Sequence, residues 1–177
     1  MTTLAVDPAF DAPTIRKAVD ALAERITADL REEGDALLIS LLGGSVIFLA
    51  DLVRAIRRPL RYEFILVERS ESEQEDEAQQ IYFPIPVTVR DQKVILVKDV
   101  VSTGVIETYL TEQLQQLGAR GVRVAALVDM PQERRTAFSP DYLAFNVERQ
   151  GTLVGYGLKS EGEGGNLPYM GWLETRS

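Results

Sequence analysis

The chain has 177 residues, a formal net charge of −8 and a hydrophobic content of 45%. A chain of this length buries about 70% of its unfolded surface, so one domain over residues 1–177 is expected. Its apolar runs fall short of the roughly 20 residues needed to cross a bilayer. The acidic balance argues against general nucleic-acid binding, which depends on clustered lysine and arginine.

The sequence contains neither cysteine nor histidine. Thiolate nucleophiles, disulfides and the common imidazole acid–base arrangements are therefore excluded. The N-terminal segment lacks the basic start and apolar core of a secretory signal, so a cytoplasmic location is expected. Chemistry in this chain depends on carboxylates, hydroxyls, lysines, backbone dipoles or a hard metal ion.

The first third of the chain alternates predicted helices and strands. Apolar residues at three- and four-residue steps follow Asp11-Ala12-Pro13 and predict a helix that ends at Glu33-Gly34. Residues 36–42 are apolar except for Ser40, a pattern typical of a strand buried on both faces. The pair Gly43-Gly44 then leads into a second predicted helix at residues 46–56.

The middle of the chain predicts a strand followed by a polar excursion. Residues 61–67 read as a strand, whereas residues 68–80 are acidic and have no apolar periodicity. Pro84 and Pro86 restrict residues 81–89 to a short edge strand or hairpin piece. We expect residues 68–90 to form a mobile flap.

Residues 93–110 carry the most informative pattern of the chain. The aliphatic run at 94–97 predicts a buried parallel strand, and apolar residues at helical spacing from 106 to 117 predict a helix. Between them, Ser102-Thr103-Gly104 presents backbone N–H groups at a helix N-terminus, which is a ready anion site. Lys98 and Asp99 stand at the carboxyl end of the strand, where open α/β sheets bind their ligands.

Another apolar strand is predicted at residues 122–128, and shorter ones follow at residues 142–147 and 153–156. The segment at 159–177 is rich in glycine and aromatic residues, so we expect a hood or tail loop that packs back on the domain. Alternating helices and strands predict an α/β fold with a central, mostly parallel sheet flanked by helices on both faces.

The segment at 94–106 resembles the phosphoribosyl-diphosphate (PRPP) binding motif of type I phosphoribosyltransferases of the hypoxanthine-guanine branch. The family pattern is four apolar residues, Glu-Asp, two apolar residues and Asp-Thr-Gly-x-Thr. Here it reads VILV, Lys98-Asp99, Val100-Val101 and Ser102-Thr103-Gly104-Val105-Ile106. LLGGSVIFLADL and SPDY…LVGYGL resemble two further stretches of that branch. The resemblance implies the type I phosphoribosyltransferase fold with a small hood and flap.

The resemblance also implies ligands and roles. The expected ligands are PRPP and a purine base or nucleotide, with Mg²⁺ held mainly through the diphosphate, in a homodimer or homotetramer. Asp99 is the implied metal and ribose contact, and Asp99 and Ser102 occupy the catalytic positions. Base contacts are implied at Ser139, Tyr156 and Leu158. The implied PRPP and phosphate contacts are Lys98, Asp99, Ser102, Thr103, Gly104, Val105, Ile106, Gly43 and Gly44.

Several site positions depart from the family pattern. Lys98 replaces the first acid of the pair with a group that only donates hydrogen bonds. Ser102 replaces an aspartate that assists proton removal from the purine, and a neutral hydroxyl is a poor general base. Ile106 replaces a phosphate-binding threonine, and Glu107 adds a negative charge beside the loop.

The departures extend to the base and diphosphate positions. Ser139 replaces a family lysine that contacts the exocyclic oxygen of the purine. Lys159 replaces an aspartate associated with metal binding, and Gly165 replaces an arginine near the diphosphate. Two hypotheses therefore remain open: a phosphoribosyltransferase, with purine salvage as the family reaction, or a catalytically degenerate homologue that binds nucleotide, PRPP or a protein partner in regulation. A different reaction on the same scaffold is a third possibility.

Overall fold

The computed structural model describes residues 4–68, 80–82 and 88–174. It contains three α-helices, nine strands and one 3₁₀ turn within those ranges. The helices are α1 (Ala12–Glu33), α2 (Ser45–Ala55) and α3 (Val105–Gln116), and the 3₁₀ turn is Pro131–Glu133. The strands are β1 (Val6–Phe10), β2 (Ala36–Leu41), β3 (Arg61–Glu68), β4 (Gln80–Tyr82), β5 (Lys93–Val101), β6 (Gly121–Asp129), β7 (Tyr142–Asn146), β8 (Leu153–Val154) and β9 (Met170–Leu173).

The larger sheet confirms the predicted α/β architecture. Its strand order is β4-β3-β2-β5-β6-β7. The five strands from β3 to β7 run parallel, and β4 pairs antiparallel with β3 at the edge. The central strand β5 buries Val94 and Val97 on opposite faces, as an unbroken aliphatic run requires.

Helices cover both faces of this sheet. α1 and α2 pack on one face, where Ile26 and Phe48 are fully buried in the larger core cluster. α3 packs on the other face through Leu110 and Leu114. At the start of α1, the backbone N–H of Thr14 donates to Asp11 Oδ1 over 2.9 Å, so the predicted helix start is a side-chain cap.

A second, three-stranded antiparallel sheet has the order β1-β9-β8. Neither β1 nor β9 is evident in the sequence pattern, since Pro8 interrupts the first and glycines surround the second. Their pairing joins Val6 to Leu173, at opposite ends of the chain. The tail predicted as a loop therefore contributes a strand, and Trp172 within it is buried.

Two boundaries differ from prediction in ways that affect the site. β5 continues to Val101, so Lys98 and Asp99 lie inside the strand, and Lys98 pairs with Ala126 of β6. β8 ends at Val154, so the predicted strand at 153–156 is shorter and turns at Gly155 and Tyr156, which both have positive φ.

The predicted flap at 68–90 falls largely outside the described residues, and its mobility stays a prediction. The structure describes β4 at its centre and, after it, Val89, which is buried. Within the described part of the chain, no helix has the length and apolarity of a membrane span.

Candidate active site at the carboxyl edge of the sheet

Three loops meet where the parallel strands end. The Gly43-Gly44 loop follows β2, the loop at 102–104 follows β5, and Met130 follows β6. A Cβ atom built on Gly44 would stand 2.3 Å from Asp99 Oδ2, and one built on Gly157 would stand 2.4 Å from the Gly44 carbonyl oxygen. Glycine at both positions lets backbone and carboxylate approach this closely.

A cavity of about 380 Å³ opens at this junction. It brings together four residues that the sequence predicted for the site. They are Gly44, Asp99, Ser102 and Leu158. The sequence reasoning gave no role to two further wall residues, Met130 and Glu133, which come from the segment after β6.

Lys98 is the most unusual side chain of the site, because it is buried between two carboxylates. Its Nζ lies 3.2 Å from Asp99 Oδ1 and 3.6 Å from Glu107 Oε1. The side chains of Lys98 and Glu107 are only 11% and 5% exposed. Glu107, expected to leave a negative charge near the phosphate loop, is instead neutralised by Lys98.

Asp99 is held in a fixed orientation at the cavity wall. The Val100 backbone N–H donates to its Oδ1 over 2.8 Å, and Lys98 approaches the same oxygen. Oδ2 faces Gly44. The side chain keeps 20% exposure and lines the cavity, so part of it is accessible to a ligand.

The loop at 102–104 has the geometry of an anion cradle. Gly104 has φ +78°, and α3 begins directly after it at Val105. The first amides of a helix have no intrahelical acceptor, and the helix dipole is positive there. Thr103 Oγ1 accepts a long bond of 3.4 Å from Val105 N–H, and Thr108 Oγ1 donates to the Gly104 carbonyl over 2.8 Å.

Arg134 holds this loop through a hydrogen bond to its backbone, a role that the sequence did not reveal. One of its Nη atoms donates to the Ser102 carbonyl over 2.9 Å, and the other pairs with Asp129 at the end of β6. The side chains of Arg134 and Asp129 are 13% and 10% exposed. The backbone N–H of Arg135 also donates to the Thr103 carbonyl over 2.9 Å.

The three predicted base contacts do not converge. Leu158 lines the cavity, whereas Ser139 is exposed before β7 and is not part of that wall. Tyr156 points to α2, where its hydroxyl donates to Asp51 Oδ2 over 2.5 Å. Burial, together with this bond, raises the pKa of Tyr156 well above its ordinary value. Its geometry fits a residue that fixes the turn before Leu158.

A second cavity of about 620 Å³ adjoins the first. Gly43, Gly157 and Gly165 contribute to its wall, and Lys159 belongs to the walls of both cavities. The Lys159 side chain crosses Gly165, because a Cβ built there would stand 2.7 Å from Lys159 Cγ. Position 165 therefore has no space for a larger side chain while Lys159 keeps this course.

A third cavity, of about 350 Å³, lies at the opposite, amino end of the strands. Its charged groups satisfy one another: Arg123 bonds Glu33 over 2.7 Å, and Tyr142 donates to Asp29 over 2.6 Å. This network joins α1 to β6 and β7. We interpret it as structural.

The donor set at Asp99 does not fit a protein-bound divalent cation. Asp99 Oδ1 already contacts an ammonium, and the like charge of Lys98 opposes a metal beside it. Across the described ranges, no cluster of three or more Asp or Glu side chains has the arrangement of a metal site. The implied role of Asp99 as a metal contact therefore gains no support from its surroundings.

Comparison with known proteins agrees with this fold. The family model described as a phosphoribosyl transferase domain matches residues 6–161. This chain belongs to the type I phosphoribosyltransferase family. Its resemblance to the hypoxanthine-guanine branch is confirmed by curated relatives.

Two such relatives are hypoxanthine-guanine phosphoribosyltransferases. The protein of Mycobacterium bovis is 30% identical over 171 residues, which cover 93% of this chain and 84% of that protein. The protein of Streptococcus pyogenes serotype M3 is 29% identical over 154 residues, which cover 86% of this chain and 84% of that protein.

Solved structures place the fold in the same branch. The hypoxanthine phosphoribosyl transferase of Trypanosoma cruzi superposes with a TM-score of 0.89 at 27% identity, covering 98% of this chain and 94% of that one. The Staphylococcus aureus enzyme superposes with a TM-score of 0.86 at 25% identity, covering 95% and 91%. The type I phosphoribosyltransferase fold is therefore established for this chain.

Proposed function

We propose that this phosphoribosyltransferase-like chain binds PRPP or a purine nucleotide at the carboxyl edge of its sheet and has lost phosphoribosyl transfer. The observation that carries the proposal is the ion triad in which Lys98 lies between Asp99 and Glu107. An acidic pair that could accept two ribose hydroxyls is replaced by one carboxylate that is already neutralised.

Binding of the 5′-phosphate rests on the start of α3. The first amides of α3 have no intrahelical acceptor, and the Arg134 side chain and the Arg135 backbone N–H donate to the loop carbonyls of Ser102 and Thr103. This support keeps the cradle formed without ligand. The phosphate contacts therefore come mainly from backbone groups of Ser102, Thr103 and Gly104, which tolerate side-chain change.

Ribose and base fit the remaining wall. Asp99 keeps a carboxylate edge for a ribose hydroxyl, since its exposed fraction lies at the cavity. Leu158 and Met130 offer apolar contact for a flat heterocycle. An apolar wall discriminates poorly between oxo and amino purines, so we propose a purine ligand without assigning its exocyclic groups.

Loss of transfer follows from the same residues. Transfer of a phosphoribosyl group develops positive charge at the sugar, and catalysis depends on positioned charges that stabilise it. The buried Lys98 places a positive charge beside Asp99, which reduces that stabilisation. The Ser102 hydroxyl cannot act as the general base that a carboxylate would supply.

A second candidate is a phosphoribosyltransferase with an altered base. It is favoured by the joint presence of Asp99, the α3 cradle and the cavity at one sheet edge. The triple variant Lys98→Glu, Ser102→Asp, Glu107→Gln separates the two candidates. It restores the family acids at positions 98 and 102, and Glu107→Gln avoids a buried negative charge left without Lys98. A rise in activity indicates a decayed family site, whereas a fall indicates that the present residues serve catalysis.

The binding proposal is tested by titration with PRPP, inosine monophosphate and guanosine monophosphate. The fluorescence of Trp172, the only tryptophan of the sequence, reports binding, because its ring lies beside the cavity residue Gly151. A Cβ atom built on Gly151 would stand 3.3 Å from Trp172 Cε3. Saturable fluorescence change confirmed by calorimetry supports the proposal. Absence of heat and of fluorescence change with all three ligands contradicts it.

Assembly and location complete the proposal. In the T. cruzi relative, the C-terminal region has a role in the oligomeric state and the enzymatic activity. We extend oligomer formation to this chain as a homodimer or homotetramer, in the cytoplasm, with regulation through a bound nucleotide or protein partner. Size-exclusion chromatography with light scattering tests the assembly.

A further inference from the structure

Lys159 occupies a position that joins the two adjacent cavities. It belongs to the wall of the 380 Å³ cavity with Asp99 and to the wall of the 620 Å³ cavity with Gly43. Its side chain is exposed, while its aliphatic stem lies over Gly165. The contact with Gly165 directs the stem, and the side chain borders both spaces.

Among the described residues that line the two cavities, Lys159 is the one lysine or arginine. Lys98 already contacts Asp99 and Glu107 and is 11% exposed. Arg134 donates to the Ser102 carbonyl and pairs with Asp129. The walls also contain Glu133 and Glu163, so an anionic ligand needs a fixed positive group to bind there.

Backbone groups add positive potential at the same place. α2 begins at Ser45, directly after the Gly43-Gly44 loop, and α3 begins after Gly104. The start of α2 therefore borders the joined cavities through Gly43, Gly44 and Ile47, and Ser102 brings the loop that precedes α3 to the same wall. A ligand with two separated phosphate groups matches this arrangement better than a ligand with one.

We propose that Lys159 binds the diphosphate of PRPP in the Gly43–Gly165 cavity and that this chain takes PRPP without a divalent cation. Lys98 contributes indirectly, since it neutralises Asp99 and removes the carboxylate that a metal would need. This inference rests on the proposed function, because it assigns the ligand and the charge balance of the same site.

The test measures dissociation constants for PRPP and for inorganic diphosphate, each in EDTA and in excess Mg²⁺. The wild type is compared with Lys159→Met, with the conservative variant Lys159→Arg and with Lys17→Met. Lys17 is an exposed lysine of α1 outside the cavity walls described above, so its variant makes the same change in net charge elsewhere. Lys159 is also exposed, so its variants are expected to fold.

We expect wild-type affinity for PRPP to differ by less than about threefold between EDTA and Mg²⁺, and Lys159→Met to weaken both ligands by about tenfold or more. Lys159→Arg should retain most of the affinity, and Lys17→Met should equal the wild type. A requirement for Mg²⁺, or equal binding by Lys159→Met and Lys17→Met, overturns this inference alone. Failure of PRPP to bind in either condition also overturns this inference, and if neither purine monophosphate binds in the titration described above, the proposed function is overturned as well.

Discussion

The carboxylate of Asp99 lies so close to Gly44 that any side chain at position 44 would displace it. The Cβ position of Gly44 is 2.3 Å from Asp99 Oδ2, although the Gly44 backbone, at φ −63° and ψ −25°, suits any residue. Glycine is therefore required by the approach of Asp99. This contact links the loop after β2 to the acid of β5.

Gly44→Ala is expected to weaken nucleotide or PRPP binding by about tenfold or more and to lower stability by about 1–3 kcal/mol, because the displaced Asp99 carboxylate loses its contacts with the Val100 N–H and Lys98. Calorimetric titration and urea unfolding measure the two effects. Gly121→Ala is the matched control, since nothing lies within 4 Å of its Cβ position. Unchanged affinity in Gly44→Ala would contradict a ligand role for Asp99.

The buried triad predicts strong coupling between Lys98 and Glu107. Lys98→Met leaves Glu107 charged and 5% exposed, so we expect a loss of about 3–5 kcal/mol in the free energy of unfolding. The double variant Lys98→Met, Glu107→Gln removes both charges and should recover much of that loss. Urea unfolding of the wild type, both single variants and the double variant measures the coupling, and additive effects would show that the pair does not interact.

Arg134 is expected to matter for both stability and binding. Arg134→Met removes the donor to the Ser102 carbonyl and leaves Asp129 buried without its partner, which should cost about 3 kcal/mol or more. Arg135→Met is the control, because the Arg135 side chain is exposed and its backbone bond to Thr103 remains. Unfolding and PRPP titration of the two variants check the prediction, which fails if they behave alike.

Alkaline pH should destabilise the protein through two buried tyrosines. Burial, with a hydrogen bond to Asp29, raises the pKa of Tyr142 to about 12, and burial with the bond to Asp51 raises the pKa of Tyr156 further. Both folded pKa values exceed the ordinary value near 10. The contribution of the two tyrosines to the free energy of unfolding is therefore complete below pH 10 and declines as pH rises above it.

The urea midpoint should therefore fall between about pH 10 and 12, and it should fall less steeply in Tyr142→Phe and Tyr156→Phe. Tyr62→Phe, at an exposed tyrosine, should follow the wild type. Comparison of the variants separates the tyrosines from the lysines that titrate in the same range. Identical slopes in all four proteins would exclude these two groups as the cause.

The sequence predicted the parallel sheet well, because the aliphatic runs of β2, β5 and β6 identify strands buried on both faces. Three residues expected at the site, Gly44, Asp99 and Ser102, line one cavity, since the carboxyl ends of the neighbouring parallel strands β2 and β5 share an edge. Both results depend on local pattern and on a resemblance carried by short motifs.

Other features depend on partners far apart in the sequence. β1 and β9 pair across the whole chain, and neither has a strong strand pattern of its own. The bond from Arg134 to Ser102 spans 32 residues, and that from Tyr156 to Asp51 spans 105. Ser139 was assigned to the base by motif position, and only the path of the chain before β7 reveals that it lies outside the cavity wall.

The most direct test of the central claim is an assay for transfer. The purified protein is incubated with Mg²⁺ and PRPP, and hypoxanthine, guanine, xanthine, adenine and pyrimidine bases are supplied separately, while diphosphate release and nucleotide formation are measured together. An active hypoxanthine-guanine phosphoribosyltransferase runs in parallel. We expect no base-dependent turnover from a protein that binds PRPP saturably; nucleotide formed with any of these bases would contradict the account and establish a transferase.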